Sequence, residues 1–508
     1  MTASIVKVRI LDDVSVVFVG LHPDHLEYFY NQYAVPAANY FFNPRFKLGQ
    51  WDGKIRYFYK TGKTYVYLLE EILPQIARFG YKAVLEDLRQ LTPSPALIDE
   101  NVFVQCLHRD TGEPIVLRDY QYGGVNELIE HGNGLIVAAT SAGKTFLCAA
   151  LVQAYGKIGI KTLTIVPSQD LIRNTKQDYI HVGLDTGEYS GTSKTIDHLH
   201  VVSTWQALKN NPKIIEQFGL VLVDECHGAK GNSLQKILLD HAARVPFRFG
   251  VTGTLPKDAA SLLSVKVALG PVRATIYASD LIERKVLADL MVDVVQLEED
   301  LREQYNEFCD QGEFIGKPPT YIQFKDGYFP DYASEKSYLH RKQDRIEWIA
   351  ELLIAKSDTK KGNVLCFVDS IVLGRQLAAL IPGSIFVNGK DMKKSSDRQK
   401  VYDMFADNDN LVVIATVHIA GTGINIRRIF NLVFIDIGKS FIRVIQAVGR
   451  GLRTAQDKGS VNVTDICSDL KYAKRHMKQR TNFYEEAKYP YKKHKLDYVR
   501  HMKLDDLD

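Results

Sequence analysis

No two cysteines of this chain stand close enough in sequence to suggest a shared metal or a bridge. The six (Cys106, Cys148, Cys226, Cys309, Cys366 and Cys467) are scattered, with no C-x-x-C pair and no close histidines at metal spacing. That argues against structural zinc and a disulfide framework, and predicts free thiols in a reducing cytoplasm. No run approaches the ~20 apolar residues that a membrane span requires. The N-terminal MTASIVKVRILDDVSVVFVG is interrupted by Asp12 and Asp13 and alternates like a strand, so it does not read as a signal segment. Net charge is only +4, from 64 basic and 60 acidic residues, so a nucleic-acid footprint must come from local clusters. Internal repeats and low-complexity tracts are also missing. The expectation is a soluble, cytoplasmic, monomeric protein with no membrane partner.

At 508 residues the chain exceeds one core and predicts about three domains. From Gly134 onward, short apolar runs alternate with helical patterns, the signature of parallel α/β sheets, and they do so twice. Strands are expected at 134–139, 161–166, 219–223 and 247–251, then at 363–368, 384–387, 411–415, 431–435 and 461–466. The predicted fold class is α/β: parallel-sheet lobes over 113–290 and 291–470 follow a small α+β domain over 1–112. Residues 296–345 read as irregular linker or insertion, and 471–508 as a basic tail.

Residues 138–145 read AATSAGKT, between an apolar strand and an apolar helix. Glycine at such a turn lets backbone N–H groups close around phosphate oxygens, while Lys144 and Thr145 reach the terminal phosphates and a magnesium ion. Ala138, Ala139, Thr140, Ser141, Ala142 and Gly143 complete the candidate ATP loop. Ala138 stands where the usual P-loop has its first glycine. Eighty positions on, the run LVLV ends in Asp224-Glu225-Cys226-His227. Acids at the C-terminal end of a buried parallel strand face the crevice where open α/β sheets bind ligands. Asp224 can hold magnesium there and Glu225 can orient the attacking water, although such a pair also serves as an ordinary helix cap. In the second lobe, QAVGRGLR at 446–453 places Arg450 and Arg453 three apart, suited to reach a γ-phosphate as arginine fingers.

With ATSAGKT, DECH, Thr252-Gly253-Thr254 and QAVGRGLR in this order, the chain resembles superfamily 2 helicases, over roughly residues 113–470. The resemblance implies two RecA-like lobes that clamp ATP and magnesium, and DNA as partner. It implies an adenine-side role for Gln121 in LRDYQ. It implies nucleic-acid contacts at Pro167 and Ser168, at Ser203, Thr204 and Trp205, and at Asp369. Within ATVHIAGTGINI at 415–426 it places Thr416 on DNA, Gly423 on ATP and Asn425 in coupling, although Asp is frequent in the family at that last position. His227, Thr252, Thr254 and Gln446 are the further coupling residues.

Residues 40–56, YFFNPRFKLGQWDGKIR, resemble the N-terminal domain of the UvsW-like helicases of T-even bacteriophages. This resemblance implies remodelling of branched DNA in an infected cell: branch migration, fork regression and R-loop unwinding, with RNA–DNA hybrids among the substrates. Residues 40–60 carry eight aromatics and five bases against the single acid Asp52. Basic and aromatic interleaving suits single-stranded or junction DNA, and the same aromatics also suit a domain core. Arg45, Lys47, Trp51, Lys54 and Arg56 are the candidate contacts. Residues 471–503 hold eleven Lys/Arg against three acids, a solvated helix face or a backbone-tracking surface. A duplex translocase that leaves strands paired and an ATP-gated clamp that barely hydrolyses are the rival functions.

Overall fold

The computed structural model describes residues 4–499 apart from 38–39, 110, 231, 257, 313, 315–316, 358–361, 393–394, 418–428 and 439–459. It divides into two compact units, Met1–Ala139 with Gly143–Ile276, and Thr140–Ala142 with Tyr277–Asp508.

The first unit opens with strands β1 (Ser4–Ile10), β2 (Ser15–Val19), β3 (Ala34–Pro36), β4 (Lys54–Arg56), β5 (Lys63–Tyr65) and β6 (Tyr81–Asp87), and helices α1 (Pro23–Gln32), α2 (Pro44–Lys47) and α3 (Leu69–Arg78). Four of the strands form a sheet ordered β5-β2-β1-β6, and β3 pairs with β4. Val6, Val8 and Ile10 turn inward while Lys7 and Arg9 face solvent, the alternation of a sheet with one covered face. Phe29 of α1 and Ile72 and Ile76 of α3 pack on the inner side.

The first lobe follows: α4 (Asp119–His131), β7 (Asn133–Ala138), α5 (Lys144–Lys157), β8 (Thr162–Val166), α6 (Gln169–His181), β9 (Thr186–Tyr189), β10 (Lys194–Thr195), β11 (His200–Thr204), α7 (Trp205–Asn210), β12 (Leu220–Asp224), α8 (Asn232–Lys236), β13 (Phe247–Thr252), α9 (Ala259–Leu269) and β14 (Val272–Ile276). The sheet is ordered β10-β9-β11-β8-β12-β13-β7-β14 and is parallel except for β10 against β9. Its central strands are buried on both faces, as a sheet covered on both sides requires.

The second unit contains α10 (Ala278–Glu283), β15 (Asp289–Leu297), α11 (Arg302–Gln311), α12 (Tyr321–Gly327), α13 (Tyr332–Leu339), α14 (Gln343–Lys356), β16 (Val364–Val368), α15 (Ile371–Leu380), β17 (Ile385–Val387), α16 (Ser395–Asp407), β18 (Val412–Thr416), β19 (Asn431–Ile435), β20 (Ser460–Ser468), α17 (Lys471–Glu486) and β21 (Tyr491–Leu496). Its sheet, β17-β18-β16-β19-β20-β15-β21, is wholly parallel. The architecture is therefore α/β, two RecA-like parallel-sheet lobes with a small N-terminal α+β domain.

Three expectations are corrected. Residues 296–345 are mostly helical, because polar N-caps inside the Gly/Pro-rich stretch start helices: Thr320 accepts the Gln323 N–H at 3.4 Å for α12, and Asp331 accepts the Ser334 N–H at 2.8 Å for α13. The boundary at 290/291 cuts through β15, which pairs in register with β20 and β21 and so belongs to the second sheet. The basic tail is in large part structure: α17 buries Arg480 against Asp465 at 2.8 and 2.9 Å, and β21 is the sheet's edge strand.

The N-terminal domain shares its core with the first lobe. Val267 of α9 lies in the same buried cluster as Phe29 and Ile72. The Tyr57 hydroxyl is 2.6 Å from Ser264 Oγ, Asp13 donates its N–H to the Ala243 carbonyl at 2.9 Å, and Glu70 and Glu71 pair with Arg273 and Lys266.

Candidate functional site

β7, β13 and β12 are neighbours in the first sheet, so their C-terminal ends come together. After β12, Asp224 accepts the backbone N–H of Glu225 at 2.9 Å, and Glu225 has a φ of 49°. The left-handed conformation costs a non-glycine residue energy and is a feature of sites whose geometry is held by their surroundings. β13 passes beneath this turn at Gly250, where a Cβ would lie 2.8 Å from the buried Cys226 Sγ. Glycine is therefore required for the strand to support the acidic turn.

At the start of α5, Lys144 Nζ lies 3.8 Å from Glu225 Oε1. The other carboxylate oxygen, Oε2, is 3.3 Å from both His227 Nδ1 and Thr252 Oγ1. His227 Nδ1 also meets Thr252 Oγ1 at 3.0 Å, and Thr252 Oγ1 lies 2.9 Å from the Thr254 carbonyl. One network thus joins Lys144, the acidic turn and the Thr252–Thr254 loop. Burial and the neighbouring Glu225 push Asp224 up to about 6, against the pull of Lys144. Burial opposes ionisation of Glu225 as well, but Lys144 and His227 outweigh it and hold that carboxyl low. The site carries one firm carboxylate facing an ammonium, beside a second carboxyl that calls for a further cation.

Ser141 and Gly143 both have positive φ, 69° and 83°, the tight backbone that a phosphate-binding turn requires. Ala138 ends β7 and is buried; Ala139 donates its N–H to the Ile276 carbonyl at 3.0 Å. Ala142 is buried, Thr140 is half-buried and Thr145 is exposed at the start of α5. Gln121 is buried, its Oε1 accepts the Arg118 N–H at 2.9 Å, and its amide nitrogen abuts Gly143. It braces the loop from below. Gly423, Asn425, Gln446, Arg450 and Arg453 lie outside the described residues.

The candidate DNA contacts divide. Pro167 and Ser168 are exposed after β8, with Ser168 capping α6. Ser203 is fully buried and its hydroxyl donates to the Tyr189 carbonyl at 2.7 Å, so it ties strands together and is withdrawn as a contact. Thr204 is buried and caps α7 through the Ala207 N–H, leaving Trp205 half-buried beside it. Asp369 pairs with Lys336 at 2.7 Å, and Thr416 is buried at the end of β18.

In the N-terminal domain Arg45, Lys47 and Lys54 face solvent, with Phe41 and Phe42 exposed beside them in the chain. Tyr57 and Phe58 are core. Trp51 is turned to its own hairpin, donating Nε1–H to the Lys54 carbonyl at 2.9 Å, while Arg56 pairs with Asp52 and lies 4.5 Å from the Tyr30 ring centre. These two brace the fold more than they offer themselves to DNA.

One exposed loop of the first lobe was not singled out in the sequence. Ser190-Gly191-Thr192-Ser193-Lys194 follows β9, which lies beside β11 and near β8, so it shares a rim with Ser168 and Trp205. Gly191, Thr192 and Lys194 are exposed. The small-polar run was its only signal, since β9 itself, TGEY, has no apolar pattern.

Three known families match in tandem: "DNA helicase UvsW, N-terminal" over residues 6–86, "Type III restriction enzyme, res subunit" over 114–257 and "Helicase conserved C-terminal domain" over 344–455. The chain is 26% identical to the ATP-dependent DNA helicase uvsW of Enterobacteria phage T4 over 455 residues, 85% of each chain. It is 22% identical over 345 residues to the DNA 3'-5' translocase XPB2 of Sulfurisphaera tokodaii, covering 63% of this chain and 74% of that one. The solved structure of the ATP-dependent Type ISP restriction-modification enzyme LlaBIII bound to DNA shares the fold, with TM-score 0.53 at 15% identity over 84% of this chain and 34% of that one.

Proposed function

We propose that this chain, an ATP-dependent superfamily 2 DNA helicase resembling UvsW, remodels branched DNA: it migrates junctions, regresses forks and unwinds R-loops during phage recombination and replication in the infected bacterial cytoplasm. The observation that carries the reading is the combination of an N-terminal module of the UvsW kind, whose Phe41, Phe42, Arg45 and Lys47 remain exposed, with the acidic-turn network of the first lobe.

In this reading Lys144 and Thr145 hold the triphosphate and Glu225 orients the attacking water, its carboxylate kept ionised by Lys144 and His227. Asp224 and the Thr145 hydroxyl offer an all-oxygen donor set that fits magnesium, which when bound neutralises charge on the β- and γ-phosphates. Arg450 and Arg453 are assigned to the γ-phosphate, Gly423 to ATP, and Asn425 and Gln446 to coupling. Thr252 and Thr254 receive the nucleotide state from Glu225 through hydrogen bonds and pass it to the DNA rim at 167–168, 190–194 and 204–205. No helix among the described residues is long and apolar enough to cross a membrane.

The test compares ATP-dependent unwinding of forks, four-way junctions, R-loops and linear duplex by the purified protein. The likeness to a named translocase favours a second reading, duplex tracking without strand separation. Triplex displacement without strand displacement would select it.

A further inference from the structure

The basic C-terminal stretch lies in the second unit. In α17, Ala473, His476, Arg480, Phe483 and Tyr484 turn inward, while Arg475 and Lys478 are exposed and Lys471 is half-buried. Lys471 and Arg475 flank the Tyr472 ring, 5.5 and 5.7 Å from its centre. None of these three cations has an acidic partner among the described residues, whereas Lys474 pairs with Asp326 at 3.0 Å.

The insertion holds this helix in place. The buried Glu335 carboxylate of α13 accepts the backbone N–H groups of Tyr472 and Ala473 at 2.9 and 2.7 Å, and the Tyr472 hydroxyl donates to the Pro330 carbonyl at 2.8 Å. Because Glu335 already satisfies donors of the first turn, an anion here must be gripped by side chains and not by the helix terminus.

We propose that Lys471, Arg475 and Lys478 form a second DNA-contact surface that binds successive phosphates of one strand, with the insertion helices as its support. The inference rests on the DNA-helicase reading above. The three side chains recur at i, i+4 and i+7 and span about 10 Å along the helix. One strand of duplex presents about three phosphates over that distance. Tyr472, fixed at both ends, limits the freedom of the two cations beside it, which lowers the entropy lost on binding.

The test is a salt titration of binding to a fluorescein-labelled four-way DNA junction by the full chain, comparing wild type, K471A/R475A/K478A and K471R/R475K/K478R. Each lost phosphate contact removes about 0.9 from the slope of log affinity against log salt. The alanine variant is expected to lose about 2 to 3 from that slope, and the charge-conserving variant to keep it. Unfolding midpoints check that all three fold; if the alanine variant does not, the exposed single reversal R475E is read the same way and must weaken binding and flatten the slope. An unchanged slope overturns the proposal, and so does an equal loss in the charge-conserving variant. A wild-type protein that binds no junction at any salt overturns the functional reading instead.

Discussion

Lys144 and Glu225 face one another across 3.8 Å, and the proposed chemistry depends on each for a different reason. Lys144→Ala removes the cation that meets the phosphates and holds Glu225 ionised; DNA-stimulated ATP hydrolysis is expected to fall at least about 100-fold. Glu225→Gln keeps shape but not charge, so it is expected to bind ATP normally and turn it over about 10²- to 10³-fold more slowly. Nucleotide binding and single-turnover assays separate the two. Thr252→Ala breaks the link to Thr254 at a cost of about 1 kcal/mol, a factor of about 5, which should appear in unwinding per ATP consumed more than in hydrolysis itself. Lys144 at the start of α5 and Asp224 and Glu225 at the end of β12 stood out as candidates because each is charged and follows a buried strand. The role of Ser203 was not legible, since a serine at a strand end looks the same whether its hydroxyl meets DNA or the Tyr189 carbonyl.

Two-sided burial made several strands legible but not all: β11, HVVST, is buried throughout and was not expected as a strand. β8, β12, β13, β16, β18 and β19 are largely apolar, buried segments, and each coincides with a predicted strand to within one or two residues. β21, YKKHKL, was invisible because an edge strand exposes most of its side chains and is kept from pairing onward by lysines. The insertion helices were hidden by the Gly and Pro between them. At this scale the segment 40–56 splits into a brace, Trp51 and Arg56, and an outward part, Arg45 and Lys47. Reversing both charges, R45E/K47E, is expected to weaken junction binding on the order of 10-fold at moderate salt and to reduce the salt slope. Fluorescence anisotropy reads it, and unchanged affinity would return the segment to a purely structural role.

At the scale of the molecule, the N-terminal domain and first lobe share a core, so a DNA grip in one is mechanically part of the other. Tyr57 and Ser264 stand 207 positions apart in sequence, a contact that no local pattern announces. Tyr57→Phe and Ser264→Ala should each cost about 1 kcal/mol in urea unfolding. Because the two hydroxyls bond each other, the double variant should cost less than the sum of the two singles. Strict additivity would mean the domain merely abuts the lobe.

The central claim is that ATP hydrolysis at the Lys144–Glu225 site is spent on branched DNA. Unwinding rates on a four-way junction and on a linear duplex of the same length, with ATP and with Glu225→Gln as control, test it most directly. The account predicts junction resolution that requires ATP, vanishes in the variant and outpaces the linear duplex. Equal rates on both substrates, or no strand separation on either, would contradict it.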